Sequence, residues 1–477
     1  MVTHGNPLTV GTNQKHRVYH RGKERLTLMQ QFRLLRVPLA LLLLLPGALF
    51  VDSARAQDDI KLELSGNAAS RTRLAVAGFK PVDAGSDPLR ETFDSTLYND
   101  LKNAGIFDLV SKSMAPPVTP GSPAEMVLAQ WGAAPVSAQM IAFGALAIAG
   151  NRLSVNGFLF DVKNTQFPQV LARQYSEEAS EDSARQVAHR FADEIIARLG
   201  GGVNGIAETK IYYVHFGGGT KEIWAMDYDG ANQHAVTHLG TITISPRVSP
   251  DNSRLAFTSL GRDGFKVKMY SLLLGRMVNF ASTGGSSTSP AWAPDGHLAF
   301  SAAPNGDADI WVSDMNGIGA HRITSFRGPE VSPVFNPRSG AQIAFISGRT
   351  SLPQLYVMEA DGSGVVRLTD TGYATSPSWS PNGQFIAFAW NRKYGPGAPG
   401  GQDIYVMDVV TKHWIQLTHG IGLCDFPSWS PDGRHIVFSN SPDTRDAHTR
   451  IMTMLADGTE RHTLTDSGAD MPNWSWK

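Results

Sequence analysis

Two aspartates, Asp425 and Asp470, occupy corresponding loops of a repeated sequence unit. Paired carboxylates at a fixed separation can act as the acid and base of a glycosidase or lyase, and they can also hold a cation in a channel. Other reactive groups are sparse. Cys424 is the single cysteine, and because a catalytic thiol needs a paired base it reads as a small buried or loop residue rather than a nucleophile. The stretch "FGGGTK" (216–221) resembles a phosphate loop but lacks its spacing and lies between two strands, which makes it a hairpin loop. His189, in "AHRFAD", has no second ligand at i+4 and is predicted to be a packing histidine rather than a metal ligand. There is no G-x-S-x-G nucleophile elbow. Neither a cofactor nor a metal site is expected.

The 477 residues carry 42 Lys and Arg against 43 Asp and Glu, but these charges are unevenly placed. Arg33 and Arg36 precede an apolar run from Val37 to Val51, and Ala54, Arg55 and Ala56 form a small-x-small cleavage signature. Residues 1–56 are therefore expected to be a secretory signal cut after Ala56. Its long polar start points to Met29 as the true initiator. The apolar run, broken by Pro38 and Pro46, is shorter than the roughly 20 residues a membrane span needs. Removing residues 1–56 leaves 34 basic and 41 acidic residues, a formal charge of −7. An exported acidic chain is not a nucleic-acid binder. With one cysteine it has no internal disulfide, so core burial alone must hold it together.

The elements that position the two aspartates repeat. "SPRVSPDNSRLAFTS" (from Ser245), "SPAWAPDGHLAFS" (from Ser289), "SPVFNPRSGAQIAFIS" (from Ser332), "SPSWSPNGQFIAFA" (from Ser376) and "FPSWSPDGRHIVFS" (from Phe426) are one phrase rewritten, and "MPNWSW" closes the series. Val248, Trp292, Phe335, Trp379, Trp429 and Trp474 recur at spacings of 44, 43, 44, 50 and 45. A second phrase, such as "IYVMDVVTKHWIQLT" from Ile404, alternates with the first. Each phrase reads as a hairpin. Together they supply four strands, A to D, which make one propeller blade. Pro, Asp, Asn and Gly suit the A-to-B turn, and the Trp is expected to pack between blades. The first blade lacks strand A, and "MPNWSW" is a strand A with nothing after it. Joining them predicts six blades over 207–477, closed by the C-terminal strand.

Residues 57–206 lack this repeat and are predicted to form an N-terminal α/β domain. One helix is expected in "DPLRETFDSTLYNDLKNAG", with Asp87 as N-cap, Pro88 next, and Leu89, Phe93, Leu97 and Leu101 on one face. Another is expected over Ser183 to Leu199, with Val187, Phe191 and Ile195 on its stripe. It ends at Gly200, Gly201 and Gly202, a hinge before the blades.

The export signal, the helix in "RQVAHRFADEIIARLGGGVNGIAETKIYYV" and the six "SWSPDG" and "IYVMD" blades together resemble the TolB family of the Tol-Pal cell-envelope system. The resemblance covers essentially all of 57–477. It implies a non-catalytic periplasmic monomer that touches membranes only through its partners. It implies that the propeller binds the peptidoglycan-associated lipoprotein Pal. The mature N-terminus would bind a TolA-like inner-membrane protein, coupling the envelope layers at constriction and keeping the outer membrane intact. That N-terminal segment would be Gln57, Asp58, Asp59, Ile60, Lys61 and Leu62 onward to Gly66. "IKLEL" alternates like a strand, so it either docks as an edge strand or is released to pair with a partner.

Within each blade the D-to-A and B-to-C connections vary while the other turns are short, and the two variable classes emerge on one face. Binding residues gather on such loops. The candidates are Ser287, Thr288, Ser289, Glu330, Val331, Tyr373, Thr375, Asp425 and Asp470, with Arg392, Lys393 and Tyr394 of the insertion 391–402. Arg and Tyr are enriched in interface hot spots. The alternatives are a periplasmic hydrolase or lyase acting at the channel and a binder of a small ligand or metal there.

Overall fold

The computed structural model describes residues 71–394, 401–443 and 448–476. The signal expected over residues 1–56 and the segment Gln57 to Leu62 lie outside the described residues. The N-terminal region is a mixed sheet with helices against it. β1 (Thr72–Val76) runs parallel to both β3 (Phe107–Leu109) and β4 (Met140–Ala149). β4 turns at Gly150 and Asn151 into β5 (Arg152–Asp161), which pairs antiparallel with β6 (Gln169–Glu178). β2 (Lys80–Pro81) pairs with β4.

Helix α1 (Asp87–Asn103) starts one residue earlier than its sequence suggests, with Ser86 at the cap and Asp87 in the first turn. There its charge suits the positive helix end. Its buried face carries Phe93, Leu97 and Leu101 as expected. The last helix of the region (Glu181–Leu199) takes a side-chain cap from Ser180, which accepts from the Ser183 N–H at 3.1 Å, and buries Val187, Phe191 and Ile195. These residues join Leu74, Phe79, Leu146, Val155 and Leu159 in one core. Each such buried side chain contributes about 1.5–3 kcal/mol. A second core on the other side of the sheet centres on Trp131 of the short helix Leu128–Gly132, with Phe143 and Phe160.

From residue 210 the chain forms six four-stranded antiparallel sheets. Five are continuous in sequence. The sixth joins strand A at Ala469–Trp474 to strands B, C and D at Lys210–Gly217, Thr220–Asp227 and His234–Ala235, so the two ends of the propeller share one blade. The A strands (Thr243–Val248, Ser286–Trp292, Glu330–Phe335, Tyr373–Trp379, Leu423–Trp429 and Ala469–Trp474) neighbour one another around a ring.

The repeated phrases have identifiable physical roles. In the A-to-B turn the Asp or Asn accepts the N–H two residues on: Ser253 to Asp251 at 3.0 Å, His297 to Asp295 at 3.1 Å, Gln384 to Asn382 at 3.1 Å and Arg434 to Asp432 at 2.9 Å. The turn backbone is thereby satisfied without water. The Trp indole N–H donates to the preceding blade, Trp292 to the Arg247 carbonyl at 2.9 Å, Trp379 to that of Val334 at 3.1 Å and Trp429 to that of Ser378 at 3.2 Å. The Thr that ends the second phrase accepts the N–H at the start of strand C in five blades, at 2.9–3.0 Å (Thr237, Thr324, Thr369, Thr418, Thr465).

The N-terminal helices meet the blades on the A-to-B and C-to-D turns. His435 Nε2 lies 2.8 Å from the Asn103 carbonyl, Tyr228 donates to Asp100 at 2.5 Å, and Arg185 donates to Asp229 at 2.6 Å. The D-to-A and B-to-C loops therefore emerge on the opposite face. Among the described residues no helix is long and apolar enough to cross a membrane.

Candidate functional site

Strand A is interrupted in every blade by a β-bulge, where one extra residue is left out of the ladder. The bulged residues Ser245, Ser289, Ser332, Ser376, Phe426 and Met471 all hold φ between 50° and 55°, and each precedes a proline. A left-handed conformation costs a residue with a Cβ about 1–2 kcal/mol. Because the A strands neighbour one another in a ring, the six bulges form a collar around it. Just before it stand Ile244, Thr288, Val331, Thr375, Asp425 and Asp470, all half-buried.

Two of these six are acids on adjacent blades. Thr375 donates to Asp425 Oδ1 at 3.3 Å, and Gln402, from the end of the insertion, donates to Thr375 at 3.4 Å. The Phe426 N–H donates to Asp425 at 2.7 Å, and the Met471 N–H donates to Asp470 at 2.8 Å. Burial pushes the Asp425 carboxyl up to about 6; hydrogen bonds from Ser376 and Phe426 oppose the shift, and the charge of Asp470 adds to it. Asp425 thus keeps its proton to a higher pH than an ordinary aspartate.

Above the collar the insertion builds a rim. The rings of Tyr373 and Tyr394 lie 5.6 Å apart, and Tyr394 is 54% exposed. The Arg392 guanidinium stands 4.3 Å over Trp414 and 5.6 Å from Trp390, whose indole donates to the Thr371 carbonyl. Arg392 and Lys393 are exposed. Residues 395–400 of the insertion lie outside the described residues.

Two candidate residues need correction. Glu330 is 0% exposed: its carboxylate pairs with Arg349, which is stacked among Phe326, Phe345 and Tyr356, and accepts from Ser347 at 3.3 Å. Ser287 is also buried and accepts the Val267 N–H at 3.0 Å. Both hold neighbouring strands together rather than face the solvent. Thr288, Ser289, Val331, Tyr373 and Thr375 are half-buried, and Val331 packs against the core between its blade and the next. Cys424 is fully buried, and burial pushes its thiol up to about 11, so it is inert.

Sequence reasoning missed the other end of the channel. Below the collar a cavity is lined by Trp292, Trp379, Trp429, Trp474 and Trp476, with Pro337, Pro381 and Pro431. The spacing of the tryptophans put them between blades, where they are; it gave no sign that their edges also converge on a common axis.

Residues 198–477 match a family model described as the TolB beta propeller domain, and residues 60–167 one described as the TolB amino-terminal domain. The chain is 30% identical over 409 residues to the Tol-Pal system protein TolB of Gluconobacter oxydans, covering 75% of this chain and 86% of that one. It is 29% identical over 300 residues to a TolB homolog of Chlorobium luteolum, across 62% of this chain. Against a homolog from Chlorobium chlorochromatii it is 30% identical over 208 residues, across 44% of this chain. The chain spans 66% and 46% of the lengths of these two Chlorobium relatives. The crystal structure of TolB from Acinetobacter baumannii superposes with a TM-score of 0.69 at 23% identity, covering 85% of this chain and 97% of that one. This likeness extends to the fold.

Proposed function

This chain belongs to the TolB family, and from that premise we propose that it is a non-catalytic periplasmic scaffold of the Tol-Pal system. Its propeller captures a peptidoglycan-associated lipoprotein of the Pal kind at the channel mouth. Its mature N-terminus, from Gln57, engages a TolA-like inner-membrane partner.

The observation that carries the reading is the mouth itself: two adjacent acids inside a rigid collar, and above them an exposed rim of Tyr373, Tyr394, Arg392 and Lys393. The acids suit hydrogen-bond donors at the tip of an inserted partner segment, and the aromatic and basic rim suits its flanks. The N-terminal region meets the blades from the other side.

The test is a pull-down from envelope extract with the chain beginning at Gln57, beside one lacking Gln57 to Gly66. Both should capture the outer-membrane lipoprotein, and only the longer should capture the inner-membrane partner. Changing Arg392 and Tyr394 to Ala together should lower lipoprotein affinity at least tenfold. Capture of neither partner, or turnover of a glycan that requires Asp425, overturns the reading.

A further inference from the structure

We propose that His189, Asp227 and Asp229 form a binding site for one divalent transition-metal ion, at the junction between the last N-terminal helix and the C-to-D turn of the first blade. His189 is 3% exposed, and its Nδ1 lies 2.8 Å from Asp100 Oδ2. Asp100 is itself buried, and Tyr228 donates to its other oxygen at 2.5 Å. A carboxylate so placed takes the Nδ1–H and turns the Nε2 lone pair outward, the arrangement that orients imidazoles toward metals. His189 Nε2 is buried and has no hydrogen-bond partner. A ring nitrogen of His189 and one carboxylate oxygen from each of Asp227 and Asp229 lie within 4.8 Å of one another.

In a tetrahedral site with bonds near 2.1 Å, ligand atoms stand roughly 3.4 Å apart. Closing that gap takes about an ångström of movement, within reach of aspartate side-chain rotation. The carboxylates are already oriented: Asp227 accepts from Lys210 at 2.8 Å and Asn232 at 2.6 Å, and Asp229 from Arg185 at 2.6 Å and the Ala231 N–H at 3.2 Å. Each carboxylate oxygen has a second lone pair for the ion. An imidazole with two carboxylates favours zinc or a similar borderline ion over calcium or magnesium, which prefer all-oxygen shells. Other blades carry acids at this turn, such as Asp314, Asp361 and Asp457, but among the described residues the turn whose carboxylates are grouped with the histidine is the first blade's. The sequence concealed the site because its ligands come from two regions rather than from one helix at i and i+4.

The test is zinc titration of the full chain as its host processes it, stripped with EDTA and read against a chromophoric chelator. We expect one zinc per chain and a thermal midpoint that climbs with the logarithm of zinc concentration. His189→Gln and Asp229→Asn should each lower zinc affinity at least tenfold. Asp100→Asn, which leaves every ligand in place, should lower it about 10–100-fold. Asp361→Asn, in the matching turn of another blade, should not change it. If His189→Gln fails to fold, the two aspartate variants decide. Absence of stoichiometric zinc, or full affinity in Asp229→Asn and Asp100→Asn, overturns the proposal.

Discussion

Asp425 and Asp432 belong to the same blade, yet their surroundings push them in opposite directions. At Asp425 burial dominates, and the carboxyl rises to about 6. At Asp432 burial also opposes ionisation, but His435 and Arg434 beside it, with a hydrogen bond from Ser430, hold the carboxyl well below the usual range. The signs follow by linkage. Between about pH 4 and 6 the folded chain keeps a proton on Asp425 that the unfolded chain has lost, so this group lowers stability as pH rises through that window. Asp425→Asn should therefore raise stability at pH 7 by about 1–3 kcal/mol and flatten the pH 4–6 slope in urea unfolding, while weakening lipoprotein capture. Stability given up at a binding position is the common cost of function. Asp432 contributes stability that is present above the ordinary carboxylate pKa and lost as pH falls below it. Asp432→Asn should cost about 2 kcal/mol at pH 7, with the deficit vanishing in strong acid, measured in the same titration.

At the scale of the element, strand A combines two features of different legibility. The tryptophan, the A-to-B turn and the terminal threonine recur at nearly constant spacing, so the sequence alone yields the blade and its strand order. The bulge does not announce itself, because the serine before each proline looks like ordinary turn chemistry. Ser287 and Glu330 were misplaced for a related reason. Strand A begins at Ser286 in one blade and at Glu330 in another, inside what reads as loop, and neighbouring residues of a strand face opposite ways. Glu330 thus turns inward to Arg349, while Val331 is half-buried against the core between its blade and the next. The seat of the N-terminal helices was equally hidden: His435 and Asn103 are 332 positions apart, and no local pattern links them. The bulge supplies its own test. Ser332 holds φ at 55°, which a β-branched side chain adopts only with strain. Ser332→Val should cost about 1–3 kcal/mol, and Ser332→Gly should be neutral or slightly stabilising, read as urea midpoints.

For the molecule as a whole the question is what keeps a ring of six sheets shut without a disulfide. Each blade packs on its neighbours, but one junction must be made by residues from opposite ends of the fold. There Asn473 and Trp474 pair with Tyr212 and Ile211. The Trp474 indole donates to Thr209 at 2.7 Å, Ser475 exchanges hydrogen bonds with Lys210, and Asn473 accepts the Val248 N–H of the next blade at 2.9 Å. The closing strand thus bonds to the strands at 210–217 and to the next blade at Val248 while packing on the blade of Leu423–Trp429. Removing residues 469–477 would expose the edge at 210–217 and delete a buried tryptophan, whose loss alone costs about 3–5 kcal/mol. In a chain this large each kcal/mol moves the thermal midpoint by about 2–4 °C. The truncated chain should therefore melt roughly 10 °C or more below the intact one and aggregate through its open edge, seen as concentration-dependent light scattering. Trp474→Phe, which keeps the strand and most of the ring volume but drops the bond to Thr209, should lose only a few degrees and stay monodisperse. If the truncated chain melted as the intact one does, the packing of each blade on its neighbours would suffice to hold the ring, and the shared blade would not be what keeps it closed.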